Sequence, residues 1–208
     1  DVRDPPVDPD PTPEADAGPA LSIRGTVVDA AGAPLAGINV SLRSLETGLS
    51  NQAVIRTDAD GRFELPGLPR GRYRVMAWSN NVGGSEADGT LLARAVVDEV
   101  DAGRADVQIT LRPGRYARGT VRDAHGTALQ GVLVCANTPA GARLDARVTR
   151  ADGSFEVLLP PGEEFELEAR PPTERAATRE GLAQPSAASY ARRGGVKAGD
   201  SGIVLEFP

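Results

Sequence analysis

Along most of the chain, hydrophobic and polar residues alternate one by one in short runs. In one such run Ile38, Val40 and Leu42 are separated by polar residues, and Tyr73 and Val75 begin another. A period of two places successive side chains on opposite faces of a β-strand, so one face of each strand is expected to be buried and the other to face water. The pattern predicts antiparallel sheets that pack in pairs as sandwiches.

Turn sequences separate these runs at intervals of roughly 8 to 12 residues, which is typical of an all-β sandwich. Asp-Gly pairs at 60–61 and 152–153 favour tight hairpins, because glycine adopts positive φ without a Cβ clash. Residues 173–182 are predicted as either a short helix or a loop. The predicted strands of the first half are 22–29, 37–45, 53–57, 62–66, 72–79, 92–98 and 105–112. Those of the second half are 116–123, 131–137, 145–149, 154–159, 164–170, 188–193 and 202–207.

The chain repeats itself. Residues 22–42 align with 116–136, and residues 56–77 align with 149–169. The last strand of each half also follows the same pattern, Val-x-Ala-Gly and then alternating apolar residues. Three blocks in the same order indicate duplication of one domain of about 90 residues, which is far longer than the unit of a stacked solenoid.

The first twenty residues differ from the rest of the chain in composition. They contain six prolines and six carboxylates against one arginine, which gives a net charge of −5. Proline favours extended backbone and like charges repel one another, so this segment is predicted to be a disordered acidic tether. The predicted organisation is therefore a leader at 1–20, a first sandwich at 21–113 and a second at 114–208. The predicted fold class is all-β, with two tandem seven-stranded Ig-like or transthyretin-like sandwiches.

The charge balance limits the partners that the chain can bind. The whole chain carries a formal charge of −6, so the 188 residues after the leader are close to neutral. The absence of a basic stripe argues against nucleic acid as a partner. No apolar run approaches the roughly 18 residues of a membrane span, and a single cysteine cannot form an internal disulfide. The abundance of Ala, Gly, Arg and Asp favours a bacterial source.

Two sequence blocks in the first half resemble a known family. The pattern G-x-V-x-D-x-x-G-x-P-L-x-G-x-x-V occupies 25–40, and T-D-x-x-G-x-F-x-L-x-x-L-P-x-G-x-Y-x-V occupies 57–75. Together they resemble the carboxypeptidase regulatory-like domain, a transthyretin-like β-sandwich. The second half resembles it more loosely, with Ala128 where proline is usual and Phe165 in place of tyrosine. The resemblance implies a non-catalytic accessory module of a secreted, cell-surface or periplasmic protein.

The side chains available predict no catalytic residue, no cofactor and no metal site. Nucleophilic catalysis would need a base, and the single imidazole, His125, falls in a predicted turn. One histidine and one cysteine are too few ligands for zinc. The sequence Asp58-Ala59-Asp60-Gly61 is similar to the start of a calcium loop but lacks the rest of it, so a hairpin turn is favoured.

Three other residues are candidates for binding. Trp78 and Tyr190 would form the site of a carbohydrate-binding module, and packing at the edge of the core is the alternative for Trp78. Cys135 alternates with Val134 and Ala136, which are expected to face inward, so Cys135 is expected on the outer face of its sheet. There it is either an inert thiol partly covered by a loop or the site of an intermolecular disulfide.

The leading hypothesis is a non-catalytic structural or interaction module of a bacterial secreted or cell-surface protein. It would space or present a partner, or assemble with other subunits. Open sheet edges offer unpaired backbone groups to a protein partner or to a second copy. The alternatives are a carbohydrate-binding module, with a polysaccharide as the partner, and an accessory domain of a larger secreted enzyme.

Overall fold

The computed structural model describes residues 20–48, 54–80, 84–87, 89–171 and 190–207. Within these residues the chain forms fourteen β-strands and no helix, so the prediction of an all-β fold is confirmed. The strands are β1 (Leu21–Val28), β2 (Asn39–Ser44), β3 (Ile55–Arg56), β4 (Arg62–Leu68), β5 (Arg72–Trp78), β6 (Ala95–Asp101), β7 (Val107–Thr110), β8 (Arg115–Arg122), β9 (Leu133–Asn137), β10 (Arg143–Val148), β11 (Ser154–Leu159), β12 (Phe165–Arg170), β13 (Ala191–Val196) and β14 (Ile203–Glu206).

The strands form four sheets, two from each half of the chain. The first module, β1 to β7, has sheets ordered β4-β1-β7 and β3-β2-β5-β6. The second module, β8 to β14, has sheets ordered β11-β8-β14 and β10-β9-β12-β13. The central strand of each three-stranded sheet is antiparallel to one neighbour and parallel to the last strand of its module. The two modules therefore share one topology, as expected from an internal duplication.

Each module has its own hydrophobic core between its two sheets. The inward residues are those that the alternating pattern identifies, including Val40, Leu42 and Val75, all of which are 1% exposed or less. Tyr73 is also buried, and its hydroxyl donates a hydrogen bond to the carbonyl of Pro69 at 2.9 Å. A buried tyrosine that keeps such a partner contributes its ring to the core without leaving a polar atom unpaired.

A glycine in the central strand of each three-stranded sheet lies under a phenylalanine. A Cβ at Gly119 would lie 2.7 Å from Cζ of Phe155 and would overlap the carbonyl oxygen of Ile203. The equivalent pair in the first module is Gly25 and Phe63, where a Cβ would lie 2.8 Å from Cζ. The repeated glycine is therefore explained by a close approach of the ring and the neighbouring strand.

The sixth strand lies later in the chain than predicted. It runs from Ala95 to Asp101, whereas the sequence pattern predicts 92–98. Residues just before it belong instead to the connection between the modules, where Ala93 N–H donates to the carbonyl of Arg112 at 3.0 Å. The strand then continues through a bulge at which Glu99 has a φ of 57°.

Three predictions concern residues outside the described part of the chain: the leader up to residue 19, the helix or loop at 173–182, and the start of the strand predicted at 188–193. That strand begins at Ala191 in the structure. In the part of the chain that is described, no helical segment has the length and apolar character needed to cross a membrane.

Candidate functional site

The short connection between the modules is tightly packed. Gly114 N–H donates to the carbonyl of Leu91 at 2.6 Å. A Cβ at Gly114 would lie 2.8 Å from the side chain of Leu158 and 2.9 Å from Cβ of Ala93. Only a glycine fits here, and it allows the two modules to approach closely. Leu91, Ala93 and Leu158 form a small buried cluster of their own, against which Tyr116 packs.

A carboxylate from the first module reaches into the second. Glu86 Oε1 accepts a hydrogen bond from the N–H of Tyr116 at 3.2 Å, and its Oε2 accepts one from Arg118 Nη2 at 2.7 Å. The hydrogen bond from Arg118 is the main reason why the pKa of Glu86 lies below its usual value. Arg118 also donates to Glu156 at 2.9 Å, so both carboxylates hold one guanidinium in place.

A second polar contact joins the modules at a different point. Arg74 on β5 forms an ion pair with Asp98 on β6, and its Nη2 donates to the carbonyl of Ala140 at 3.1 Å. Ala140 lies in the turn between β9 and β10 of the second module. The modules are therefore fixed to each other by backbone, apolar and charged contacts.

A cleft of about 700 Å³ lies between the outer faces of the two four-stranded sheets. Its lining is dominated by arginine, with three from each module and two glutamates from the second. These residues, which we call the arginine cleft, are Arg43, Arg74, Arg94, Arg143, Arg170, Arg192, Glu166 and Glu168. Because the arginines outnumber the glutamates, the cleft is positively charged in a chain that is acidic overall.

Only some of these arginines have a carboxylate partner. Glu168, whose side chain is 9% exposed, pairs with Arg170 at 3.0 Å and with Arg192 at 3.6 Å. The hydrogen bond from Arg170 is the largest cause of the lowered pKa of Glu168. Among the described residues, Arg94 and Arg143 form no ion pair. Arg43 also lacks a carboxylate partner, since its Nε donates to the carbonyl of Gly48, so three positive charges of the cleft are not neutralised within this part of the chain.

Arg94 lies over the ring of Trp78, with its guanidinium carbon 5.0 Å from the ring centroid. Its Nε is buried and has no hydrogen-bond partner in the described structure. Burial lowers the pKa of Arg94, and the charge of nearby Asp145 acts in the opposite direction. The half-buried Trp78 thus packs against a charged side chain, and a sugar that stacked on this face would have to displace Arg94.

The second candidate aromatic residue has a similar neighbour. Tyr190 is 49% exposed, and the guanidinium carbon of Arg170 lies 6.0 Å from its ring centroid. The Nε of Arg170 is also buried without a partner among the described residues. Trp78 and Tyr190 belong to different modules and do not line the arginine cleft, but each contacts an arginine that does.

Cys135 lies between Val134 and Ala136 on β9, opposite Glu168 on β12. The sequence predicts a thiol that is only partly covered, whereas in the structure Cys135 is fully buried. This burial raises the pKa of the thiol, which disfavours the reactive thiolate. A disulfide with another chain would require the side chains that cover Cys135 to move away.

His125 and Asp58 shape turns. The N–H of His125 donates to Asp123 Oδ1 at 2.9 Å, just as the N–H of Ala31 donates to Asp29 Oδ1 at 2.8 Å in the first module. Asp58 Oδ1 accepts the N–H groups of residues 60 and 62, which closes the turn between β3 and β4. The hairpins predicted at the two Asp-Gly pairs are wrong, because the strands on either side of each turn belong to different sheets. Across the described ranges, no group of three or more His, Cys, Asp or Glu side chains could hold a metal ion.

The sequence pattern did not identify the arginine cleft. Its arginines are spread over five strands and one flanking segment, and each occupies an ordinary outward position in an alternating run. Their shared environment depends on how the second module packs against the first. The only signal in the sequence is that outward positions such as Arg43, Arg74 and Arg192 carry arginine rather than a mixture of polar residues.

Residues 22–112, which make up the first module, match the sequence model of the carboxypeptidase regulatory-like domain. The match confirms, for this module, the resemblance that its motifs indicate. No curated protein sequence matches the chain significantly.

Three solved structures illustrate the structural similarities of the chain. The TIE protein of Bacillus anthracis is 15% identical, with a TM-score of 0.32, over 90% of this chain and 33% of that one. The Streptococcal ancillary pilin is 16% identical, with a TM-score of 0.33, over 91% of this chain and 62% of that one. BcpA, the major pilin subunit of Bacillus cereus, is 9% identical, with a TM-score of 0.33, over 90% of this chain and 99% of that one. The chain thus spans a third of the first protein and less than two thirds of the second, and similarities at this level carry no conclusion about function.

Proposed function

We propose that this chain, whose first module matches the carboxypeptidase regulatory-like domain, is a non-catalytic structural module of a bacterial secreted or cell-surface protein. In this role the two sandwiches act as one rigid spacer that holds a partner, or a further part of the same protein, at a fixed distance and orientation.

The packed connection between the modules is the observation that carries this proposal. Domains joined by a short linker usually move relative to each other unless their interface is extensive. Here Gly114 brings the backbones together, Glu86 bonds to the second module, and Arg74 reaches Ala140. A spacer needs its modules to be held in one orientation, because a flexible hinge would not keep its two ends at a fixed distance.

A sheet edge supports the proposed interaction with a partner protein. Strand β13 is the last strand of its sheet, and residues 192–195 within it are all exposed. An edge strand of this kind can accept a strand from another chain, because no described strand pairs with its outer backbone groups.

The test is the distribution of distances between the two modules. Ala59 and Ala151 are exposed residues at equivalent positions of the β3–β4 and β10–β11 turns, so A59C and A151C provide matched sites for spin labels. The native thiol is removed by C135S. A single narrow distance peak is expected for a rigid spacer, whereas a broad distribution would contradict the proposal.

Binding to a panel of polysaccharides distinguishes the spacing role from carbohydrate binding. No binding is expected for the spacer. Binding that disappears in W78A but persists in Y116A, a change to another aromatic residue beside the connection, would replace the spacer proposal by a carbohydrate-binding function.

A further inference from the structure

The arginine cleft carries positive charge that the described residues do not neutralise. Arg94 and Arg143 have no ion pair among these residues, and Arg43 donates its Nε to the carbonyl of Gly48 rather than to a carboxylate. Arg94 is half-buried, so its unpaired charge is unfavourable unless an ion of opposite sign is bound nearby. Arg43 and Arg143 are exposed, so their guanidinium groups are accessible to a ligand. These three arginines, contributed by both modules, favour a negatively charged ligand.

The geometry of arginine narrows the class of ligand. A guanidinium binds a carboxylate through two parallel N–H groups. The Nε atoms of Arg94 and Arg170 are buried without a partner in the described structure, so a ligand would reach these two donors only after the side chains shift. The exposed guanidinium groups of Arg43 and Arg143 can bind a planar carboxylate directly.

This chain contains an acidic segment of its own, residues 1–20. Its first twenty residues have a net charge of −5, from five aspartates and one glutamate against Arg3. The first described residues lie beside the end of β6, since Gly103 N–H donates to the carbonyl of Ser22 at 3.1 Å. Strand β6 and its neighbour β5 belong to the sheet that carries Arg43 and Arg74.

The length of the leader is sufficient to reach the cleft. Nineteen residues of extended chain span up to about 60 Å, whereas the eight residues of β1 measure about 26 Å along the first module. The segment contains six prolines, and proline restricts the backbone, which lowers the entropy lost when a segment is held against a surface.

We propose that the arginine cleft is the binding site for the acidic leader, residues 1–19 of the same chain. Carboxylates of the leader pair with arginines of both modules, so the leader would link the modules across the cleft. An acidic peptide is favoured over an acidic sugar because neither Trp78 nor Tyr190, the rings on which a sugar would stack, lines the arginine cleft. This inference is independent of the spacing role proposed above.

Trp78 provides the reporter for the test. It is the only tryptophan of the chain, and it contacts Arg94. The full-length chain is prepared with all six leader carboxylates replaced by amides (D1N, D4N, D8N, D10N, E14Q and D16N). A synthetic peptide of residues 1–20 is then titrated while Trp78 fluorescence is recorded, at low and at high salt.

A saturable change in fluorescence that weakens at high salt is the expected result. The wild-type chain should bind the peptide about tenfold more weakly, because its tethered leader already occupies the cleft at a high effective concentration. R143Q should weaken binding of the peptide to the amide variant by about fivefold or more, since it removes a bidentate donor. R62Q is the matched control, because Arg62 is exposed, pairs with Asp60 and lies outside the arginine cleft.

Three results of the titration would overturn the proposal. One is the lack of a saturable change, and another is equal binding of a peptide in which the carboxylates are amides. The third is binding of polygalacturonate but not of the peptide, which would identify the ligand as an acidic polysaccharide. Light scattering tests whether docking is intramolecular: the wild-type chain should remain monomeric at all concentrations. An oligomer that disappears in the amide variant would place the leader in a neighbour's cleft and contradict docking within one chain.

Discussion

A buried hydroxyl occupies the same position in both modules. Thr149 Oγ1 accepts the N–H of Val132 at 3.0 Å and donates to the carbonyl of Leu129 at 2.6 Å. Thr57 makes the equivalent pair of hydrogen bonds with residues 38 and 35 of the first module. Each threonine thus satisfies two backbone groups that would otherwise be buried without partners. In each module these hydrogen bonds join the segment that leads into the second strand to the residue that follows the third strand.

The glycine beneath the phenylalanine gives a residue-scale prediction. In G119A the added methyl would overlap the Ile203 carbonyl oxygen and press on Phe155, so β8 and β14 would have to separate. Overpacking of this kind lowers the free energy of unfolding by about 1–3 kcal/mol. Chemical denaturation of the full-length chain would measure the loss.

The control for this substitution is another strand glycine of the same module. No atom lies within 4 Å of a Cβ built at Gly194 on β13, and its φ is not in the left-handed region. G194A is therefore expected to change the free energy of unfolding by less than about 0.5 kcal/mol. If G119A and G194A changed the free energy of unfolding equally, the close approach of Phe155 would not be the reason why glycine is required at position 119.

Strand β6 contains a bulge with a residue in the left-handed region. Its pairing with β5 shifts between Tyr73 and Val75, and Glu99 at this bulge has a φ of 57°. A β-branched residue is poorly tolerated in the left-handed region, so E99V should lower the free energy of unfolding by about 1–2 kcal/mol. E99G should stay within about 0.5–1 kcal/mol of wild type, because glycine adopts this φ without strain. Thermal or chemical unfolding of the two variants gives the comparison.

The control for the bulge is a strand position with ordinary backbone. Gln108 is exposed on β7, and valine suits an extended strand, so Q108V is expected to be neutral or slightly stabilising. If E99V were as stable as E99G, the positive φ of Glu99 would not be a feature of the folded protein in solution.

Strand positions could be predicted from the sequence because alternation is a local property. Val40, Leu42 and Val75 face the core as their period of two requires. The start of β6 could not be predicted in this way. Leu91 and Ala93 are apolar, as the inward residues of a strand are, but they are buried in the contact between the modules and lie before β6. The arginine cleft was missed for the same physical reason, since it is formed by residues that are distant in sequence and only meet through module packing.

On the scale of the whole molecule, two similar sandwiches gain new properties from their contact. Neither module alone has the arginine cleft, because Arg94 comes from one and Arg143 from the other. The same packing buries Leu158 against Leu91 and places Glu86 beside Arg118. The fixed orientation of the modules and the arginine cleft thus both depend on the packing between the modules. A change that disrupts this packing should therefore also disrupt the cleft.

The ion pair of Glu86 predicts how this connection responds to pH. The pKa of Glu86 is lowered in the folded protein, chiefly by the hydrogen bond from Arg118 and also by the N–H of Tyr116 and the charge of Arg115. A carboxylate with a lowered pKa stabilises the folded arrangement above its unfolded pKa, and this contribution is lost as the pH falls through the folded value. The distance distribution between labels at Ala59 and Ala151 should therefore be narrow near pH 7 and broaden below about pH 4.

Two substitutions separate this effect from general acid sensitivity. E86Q removes the charge, so its distribution should already be broad near pH 7 and should change little on acidification. E64Q is the matched control, because Glu64 also has a lowered pKa from an arginine partner, Arg24, but lies away from the connection. E64Q should behave as wild type, and a narrow distribution in E86Q at both pH values would show that the apolar contacts and Arg74 hold the modules together without Glu86.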